Sequence, residues 1–452
     1  MKSEDAQFKK MTETPIPRLI MSLSVPTVIS MLITSIYNMA DTYFVAKLGT
    51  SATGAVGVVF SLMAIIQAVG FTIGMGSGSM ISRILGHQDA EKATQVSSTA
   101  LFMGITLGII LSIFASVEIA DMMLLFGATD TILPYAIAYG KYIIFGAPIM
   151  IGAFILNNIL RSQGKAKYAM IGIASGGILN ILLDPLFIFT FNLGTSGAAI
   201  ATLVSQCISF SILLSISLFG KNLAKINIKG ISKNIKTYLL ILKTGLPSLS
   251  RQGLASIATM FLNMNAKPYG DAAVASMSIV NKVFMLIFAV LIGIGQGFQP
   301  VVGFNYGAKK YDRVKKAFIF TLVMGGIVMV TLGLPIFFAS DFIMSKFTKD
   351  DLEVIRMGKV ALRMQCLVLP LIPFSTVANM TYQTIGKSWT ATLLACARQG
   401  IFFIPFVWIL PRSLDFFGLQ LAQPLADLCA SLFCIPFAVW FLKDLKKKKS
   451  AI

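Results

Sequence analysis

Apolar positions along this chain do not alternate with polar ones but gather in long blocks. Twelve apolar runs stand out, at about 17–45, 52–82, 91–116, 131–157, 167–190, 196–220, 237–265, 272–303, 313–340, 354–382, 388–411 and 417–442, with short polar stretches between them. Each is long enough to cross about 30 Å of hydrocarbon. In lipid every peptide group must find its partner within its own segment, so the runs are predicted to be helices. The expected fold is therefore all-α and integral to the membrane.

The runs form two sets of six. Shifted by 221 residues, Pro26 falls on Pro247, Gly49 on Gly270, Gly74 and Gly76 on Gly295 and Gly297, Gly86 on Gly307, and Lys92 on Arg313. One inserted residue later the shift is 222: Pro148 meets Pro370, Asn157 meets Asn379, and Gly164-Lys165 meets Gly386-Lys387. Gly197 and Gly418 return to 221. Backbone punctuation held in register this long marks two copies of one fold. An even number of helices per copy makes the repeats parallel, which predicts twelve transmembrane helices in two six-helix lobes around a central cleft, the plan of a transporter. The expected lobes are 1–219 and 237–452, joined by a basic linker at 220–236.

Composition agrees with a bilayer protein. Apolar residues make up 56% and charged ones 13%, with a mean hydropathy of +0.79, far from soluble habits. The net charge of +19 does not signal nucleic acid, because its placement is lopsided. Of 38 Lys and Arg, 26 fall on the side holding both termini and eight on the other (Lys47, Lys267, Lys346, Lys349, Arg356, Lys359, Arg363, Arg412). That bias predicts cytoplasmic termini in an inner membrane, with the Lys446–Lys449 run as a topology anchor at anionic lipid. The polar start through Arg18 has no signal-peptide core, so the first helix is expected to be an uncleaved signal-anchor. The five cysteines lack metal or redox spacing and read as small core residues.

Carboxylates inside membrane helices are costly and ask for a reason. Asp41 and Asp184 lie in the first copy, where the second has Leu262 and Phe406; Asn180 and Thr202 map to Phe402 and Gln423. The first lobe thus holds an acidic cluster that the second lacks. Asn180 and Asp184 share a helix face, as do Tyr37 and Asp41. An all-oxygen set of this kind suits a hard cation or a proton, and converging carboxylates would titrate as a coupled pair. Asp184-Pro185 also predicts a helix break. Among the other intramembrane charges, Lys141, Arg251, Lys282, Arg398 and Asp427, pairing of the second-lobe groups Arg251, Arg398 and Asp427 is expected. The GMGSG stretch at 74–78 and GQG at 295–297 predict close helix packing rather than phosphate binding. No catalytic constellation points to an enzyme and no cofactor is implied.

A recurrent elbow follows the second helix of each copy, Arg83-Ile-Leu-Gly-His-Gln-Asp-Ala-Glu-Lys92 and Phe304-Asn-Tyr-Gly-Ala-Lys-Lys-Tyr-Asp-Arg313. In each the glycine is expected to cap its helix; His87 is given no proton-relay role. The twelve-span plan, Asp41-Thr-Tyr-Phe-Val-Ala-Lys-Leu-Gly49, the first elbow and Asn180-Ile-Leu-Leu-Asp-Pro185 together resemble the multidrug and toxic compound extrusion (MATE) family, in its bacterial and archaeal branch. That resemblance implies an ion site at Asp41, Asn180, Asp184 and Thr202, open to protons or sodium. It also implies an adjoining cavity lined by Tyr37, Tyr139 and Asn157, and a helix-one kink at Pro26. The expected function is a monomeric antiporter exporting organic cations, including drugs, in exchange for protons or sodium ions by alternating access. A flippase for lipid-linked oligosaccharides, which has a similar lobe plan, is the alternative.

Overall fold

The computed structural model describes residues 2–348 and 351–450; Lys349 lies outside them. The first lobe comprises α1 (Lys2–Glu13), α2 (Ile16–Ala46), α3 (Thr50–Gly86), α4 (Ala90–Val117), α5 (Ile119–Leu125), α6 (Leu133–Ser162), α7 (Ala166–Pro185) and α8 (Gly194–Phe219). The second comprises α9 (Ile235–Ala266), α10 (Asp271–Gly307), α11 (Tyr311–Phe338), α12 (Ser340–Phe347), α13 (Leu352–Val368), α14 (Ile372–Thr384), α15 (Ser388–Cys396) and α16 (Ile404–Ser450).

Among the described residues, ten helical stretches are long and apolar enough to cross a bilayer. The last of them, Ser388–Ser450, holds two legs, because the backbone breaks helical geometry at Leu414 and Asp415. α9 is not among the ten; Lys236, Lys243 and Arg251 interrupt its apolar character. With these two corrections the structure carries the twelve expected legs. Pro370 divides the tenth leg with a tight 3₁₀ turn at Leu369–Leu371. α1, α5 and α12 are short helices outside the twelve runs.

The lobes meet as a duplication demands. α2 packs on α10, α9 packs on α3, and α3 meets α10. The repeated glycines make these contacts possible. A Cβ on Gly76 would stand 2.3 Å from the Ile241 carbonyl and 2.9 Å from the Gly245 nitrogen. The related Gly297 would meet Ser24, the counterpart of Gly245, at 2.5 Å. Gly74 lies against Asn158 and Gly295 against its counterpart Met380. GMGSG is thus a packing stripe. The elbow glycines were expected to cap their helices, and here the structure differs. The left-handed residues are Gln88 and Lys309, whereas Gly86 and Gly307 lie within their helices and touch each other. They carry no side chain because a Cβ on either would stand 2.3 or 2.2 Å from a carbonyl of the other copy.

These seam contacts lie in the half of the molecule that carries the termini, so the lobes are closed against each other there. α1 spans the closed side. Gln7 bonds the Gln163 carbonyl of the first lobe (2.7 Å), while Asn305 and Lys310 of the second bond the Met11 and Thr12 carbonyls (3.0 and 3.2 Å). The linker is held to α4, since Asn227 and Ser232 donate backbone N–H groups to Ser98 and Thr99 hydroxyls, each at 2.9 Å. The paired asparagines tie neighbouring helices in both lobes: Asn157 donates to the Ala169 carbonyl (3.0 Å) and Asn379 to that of Ala391 (2.6 Å).

Two outcomes follow. Gly245→Val, whose Cβ would fall 1.9 Å from the Thr72 carbonyl, is expected to lower stability by about 1–3 kcal/mol through overpacking, read as a reduced thermal midpoint in detergent. Asn157→Ala and Asn379→Ala should each cost about 1–3 kcal/mol by stranding a buried carbonyl. The loss should be larger for Asn379→Ala, because Asn379 also accepts from Arg251 at 3.1 Å.

Candidate functional site

α2 ends, α6 begins, α7 ends and α8 begins on the face opposite the termini, and each brings a polar side chain to one place. Asp41 lies five residues before the end of α2 and Thr202 eight residues into α8, some 8–12 Å inside the helix ends at 1.5 Å per residue. α7 runs to Pro185 and then loosens into a wide π turn at Leu186–Thr190. Asp184-Pro185 is therefore both a break in regular helix and a carboxylate at the point of the break. Loosened backbone of this kind is common where helices carry function.

The contacts join all four helices in two groups. The Tyr139 hydroxyl donates to Asp41 Oδ2 at 3.0 Å. The Asn180 amide donates to Asp184 Oδ1 at 3.1 Å and to Thr202 Oγ1 at 3.2 Å. Asp41 lies within Coulombic reach of Asp184. Asp184 is 0% exposed and Asp41 8%, so neither acid is bathed in solvent. Three oxygens of this group have no hydrogen-bond partner among the described residues: Asp41 Oδ1, Asn180 Oδ1 and Asp184 Oδ2. A buried acceptor left unpaired costs about 1–3 kcal/mol and more when charged. Three unpaired acceptors on residues of one polar group suit a proton or a hard cation.

The remaining expected residues fall into different places. Tyr37, one turn before Asp41, is buried against Gly177 and lines a small cavity with Thr34, Phe154 and Gln206. Asn157 does not join the group; it serves as the helix tie described above. Pro26 sits inside α2, as Pro247 does inside α9.

The matching region of the second lobe is closed by packing. Leu262 is buried and the Phe402 and Phe406 rings stack with centroids 6.4 Å apart. Nearby, Asp427 is fully supplied with partners: Arg398 Nε at 2.5 Å, Gln365 at 2.7 Å and Gln423 at 2.9 Å. Arg398 also lies over the Phe288 ring. The expected ion pairing holds for Arg398 and Asp427. Arg251 instead bonds Asn379 at 3.1 Å. Lys141 and Lys282 are exposed. Reading from sequence missed the buried Arg161 and its bond to Gln296 across the lobe seam. The repeat held the signal, since Arg161 falls on the neutral Gln383.

Comparison with known proteins now bears on this geometry. The MatE family model matches twice, over residues 26–186 and 247–409. The multidrug export protein MepA of Staphylococcus aureus (strain MSSA476) is 28% identical over 447 residues, covering 98% of this chain and 97% of MepA. A solved structure described as the outward-facing conformation of a multidrug resistance MATE family transporter superposes with a TM-score of 0.92 at 27% identity, covering 97% and 98% of the two chains. A MOP superfamily transporter from Pyrococcus furiosus does so at 0.91 and 26% identity, covering 98% of both. Both family matches fall on the two copies of the repeat and together span well over half the sequence, and the chain belongs to the MATE family of membrane transporters.

Proposed function

We propose that this protein exports organic cations, drugs among them, in exchange for protons or sodium ions entering the cell. The observation that carries the reading is the trio of unpartnered oxygens on Asp41, Asn180 and Asp184, in a lobe whose twin has none at the matching positions. A lipophilic cation and a coupling ion would compete for the same negative charge. With the cleft open to the outside, a coupling ion loads the pair and the drug leaves. The lobes then rock, the ion is released inside, and the freed carboxylates attract the next cation. The positive bias of the termini face and its lysine-rich end support cytoplasmic termini in the cell membrane.

Charge bookkeeping sets the driving force. One coupling ion against one monovalent drug is electroneutral, so only the chemical gradient drives it. Two ions, one per aspartate, would add about 2.3 kcal/mol per 100 mV of membrane potential.

The test is dye efflux from proteoliposomes under separately imposed pH, sodium and electrical gradients. Asp184→Asn should abolish gradient-driven efflux, a loss of at least about 100-fold if binding competition is the coupling device, with expression and thermal midpoint retained. Efflux at the wild-type rate in that variant would remove the site assignment.

A further inference from the structure

The seam that closes the termini face contains a charge that no acid neutralises. Arg161, near the end of α6, is 4% exposed. Its guanidinium donates to Asn158 Oδ1 on its own helix, to Gln296 Oε1 on α10 of the other lobe, and to the Met75 sulfur on α3 at 3.7 Å. Among the described residues, no carboxylate lies within ion-pair distance of it. Beside it is a cavity of about 20 Å³ walled by both lobes, including Ser79, Ser82, Gln296 and Gln299. That is room for a single water.

The second lobe has a neutral residue at the related position. Gln383 bonds within its own lobe, to the Thr244 carbonyl at 3.1 Å and to Ser248 at 2.9 Å. The charge is thus an addition of the first lobe and not a requirement of the fold. Arginine cannot shed its proton to escape burial, and amide oxygens return only part of the hydration it has lost.

We propose that Arg161 sets the balance of the gate: its unneutralised charge holds the closed seam in a shallow minimum, so that the lobes can part on this side and let a cation enter. Separation takes Gln296 away with the second lobe and gives Arg161 to water. The inference rests on the alternating-access reading above and gives that reading a residue on the termini side. It also fixes signs. Replacing a buried charge by an apolar side chain of similar length favours the closed form, whereas removing its partner leaves the charge stranded and favours opening.

The experiment uses the full chain with its five cysteines replaced and spin labels at Lys92 and Lys315, exposed positions on the first and second lobes. Distance distributions are recorded across pH and sodium concentration. Arg161→Met, and Arg161→Gln as a second and milder variant, should raise the ratio of closed to parted populations by about tenfold. Gln296→Leu should move the ratio the other way, and Arg161→Lys should stay near wild type. A parted population that grows in Arg161→Met, or a ratio unchanged in both Arg161 variants, would make Arg161 a tie or a bystander and overturn the proposal. One unvarying distance in every protein, wild type included, would overturn the two-state reading and the inference with it.

Discussion

A polar group in hydrocarbon must find a partner or be given a reason for lacking one, and that constraint shapes this molecule at every scale. It makes the backbone helical. It makes Asn157 and Asn379 reach for carbonyls across helix pairs, and it surrounds Asp427 with three donors. Among the described residues the same accounting fails at seven side-chain atoms, and three of them, on Asp41, Asn180 and Asp184, belong to the polar group that the second lobe lacks. Unpaired acceptors that coincide with a lobe-specific group mark a site.

Duplication supplies the control. The seam glycines, the asparagine ties and the crossing of each lobe's first helix over the other's second helix recur in both copies, so they belong to the fold. The carboxylates and Arg161 do not recur. The second lobe fills the matching volume with Leu262, Phe402 and Phe406 and keeps its own acid neutralised by Arg398. The first lobe thus carries both the acidic pocket and the buried cation at the gate.

Much of this was legible in the sequence because bilayer physics leaves coarse marks. Helix number, duplication and the lobe plan follow from the length of apolar runs and the register of glycine and proline. The acidic group was legible from the absence of Asp41 and Asp184 counterparts. The roles of the elbow glycines were not, since a glycine at a helix end reads equally as a cap or as a point of contact. Only the approach of Gly86 to Gly307 decides between them. Arg161 escaped for a related reason. At the end of a span an arginine reads as a snorkelling anchor, and nothing local shows that another lobe covers it.

The acidic pocket and the gate share α6, which carries Tyr139 near one end and Arg161 near the other. Twenty-two residues at 1.5 Å each place them about 33 Å apart. Across that distance two unit charges interact by about 0.5 kcal/mol at an effective dielectric of about 20, less than a factor of three in any equilibrium. Loading a proton or ion at Asp41 and Asp184 therefore cannot open the gate through its field alone. The message must travel as movement of packed helices, with α6 as a rigid lever held to Asp41 at one end and to Gln296 at the other. A glycine-lined seam suits that task, because backbones in direct contact either fit or part, with little room between the two states.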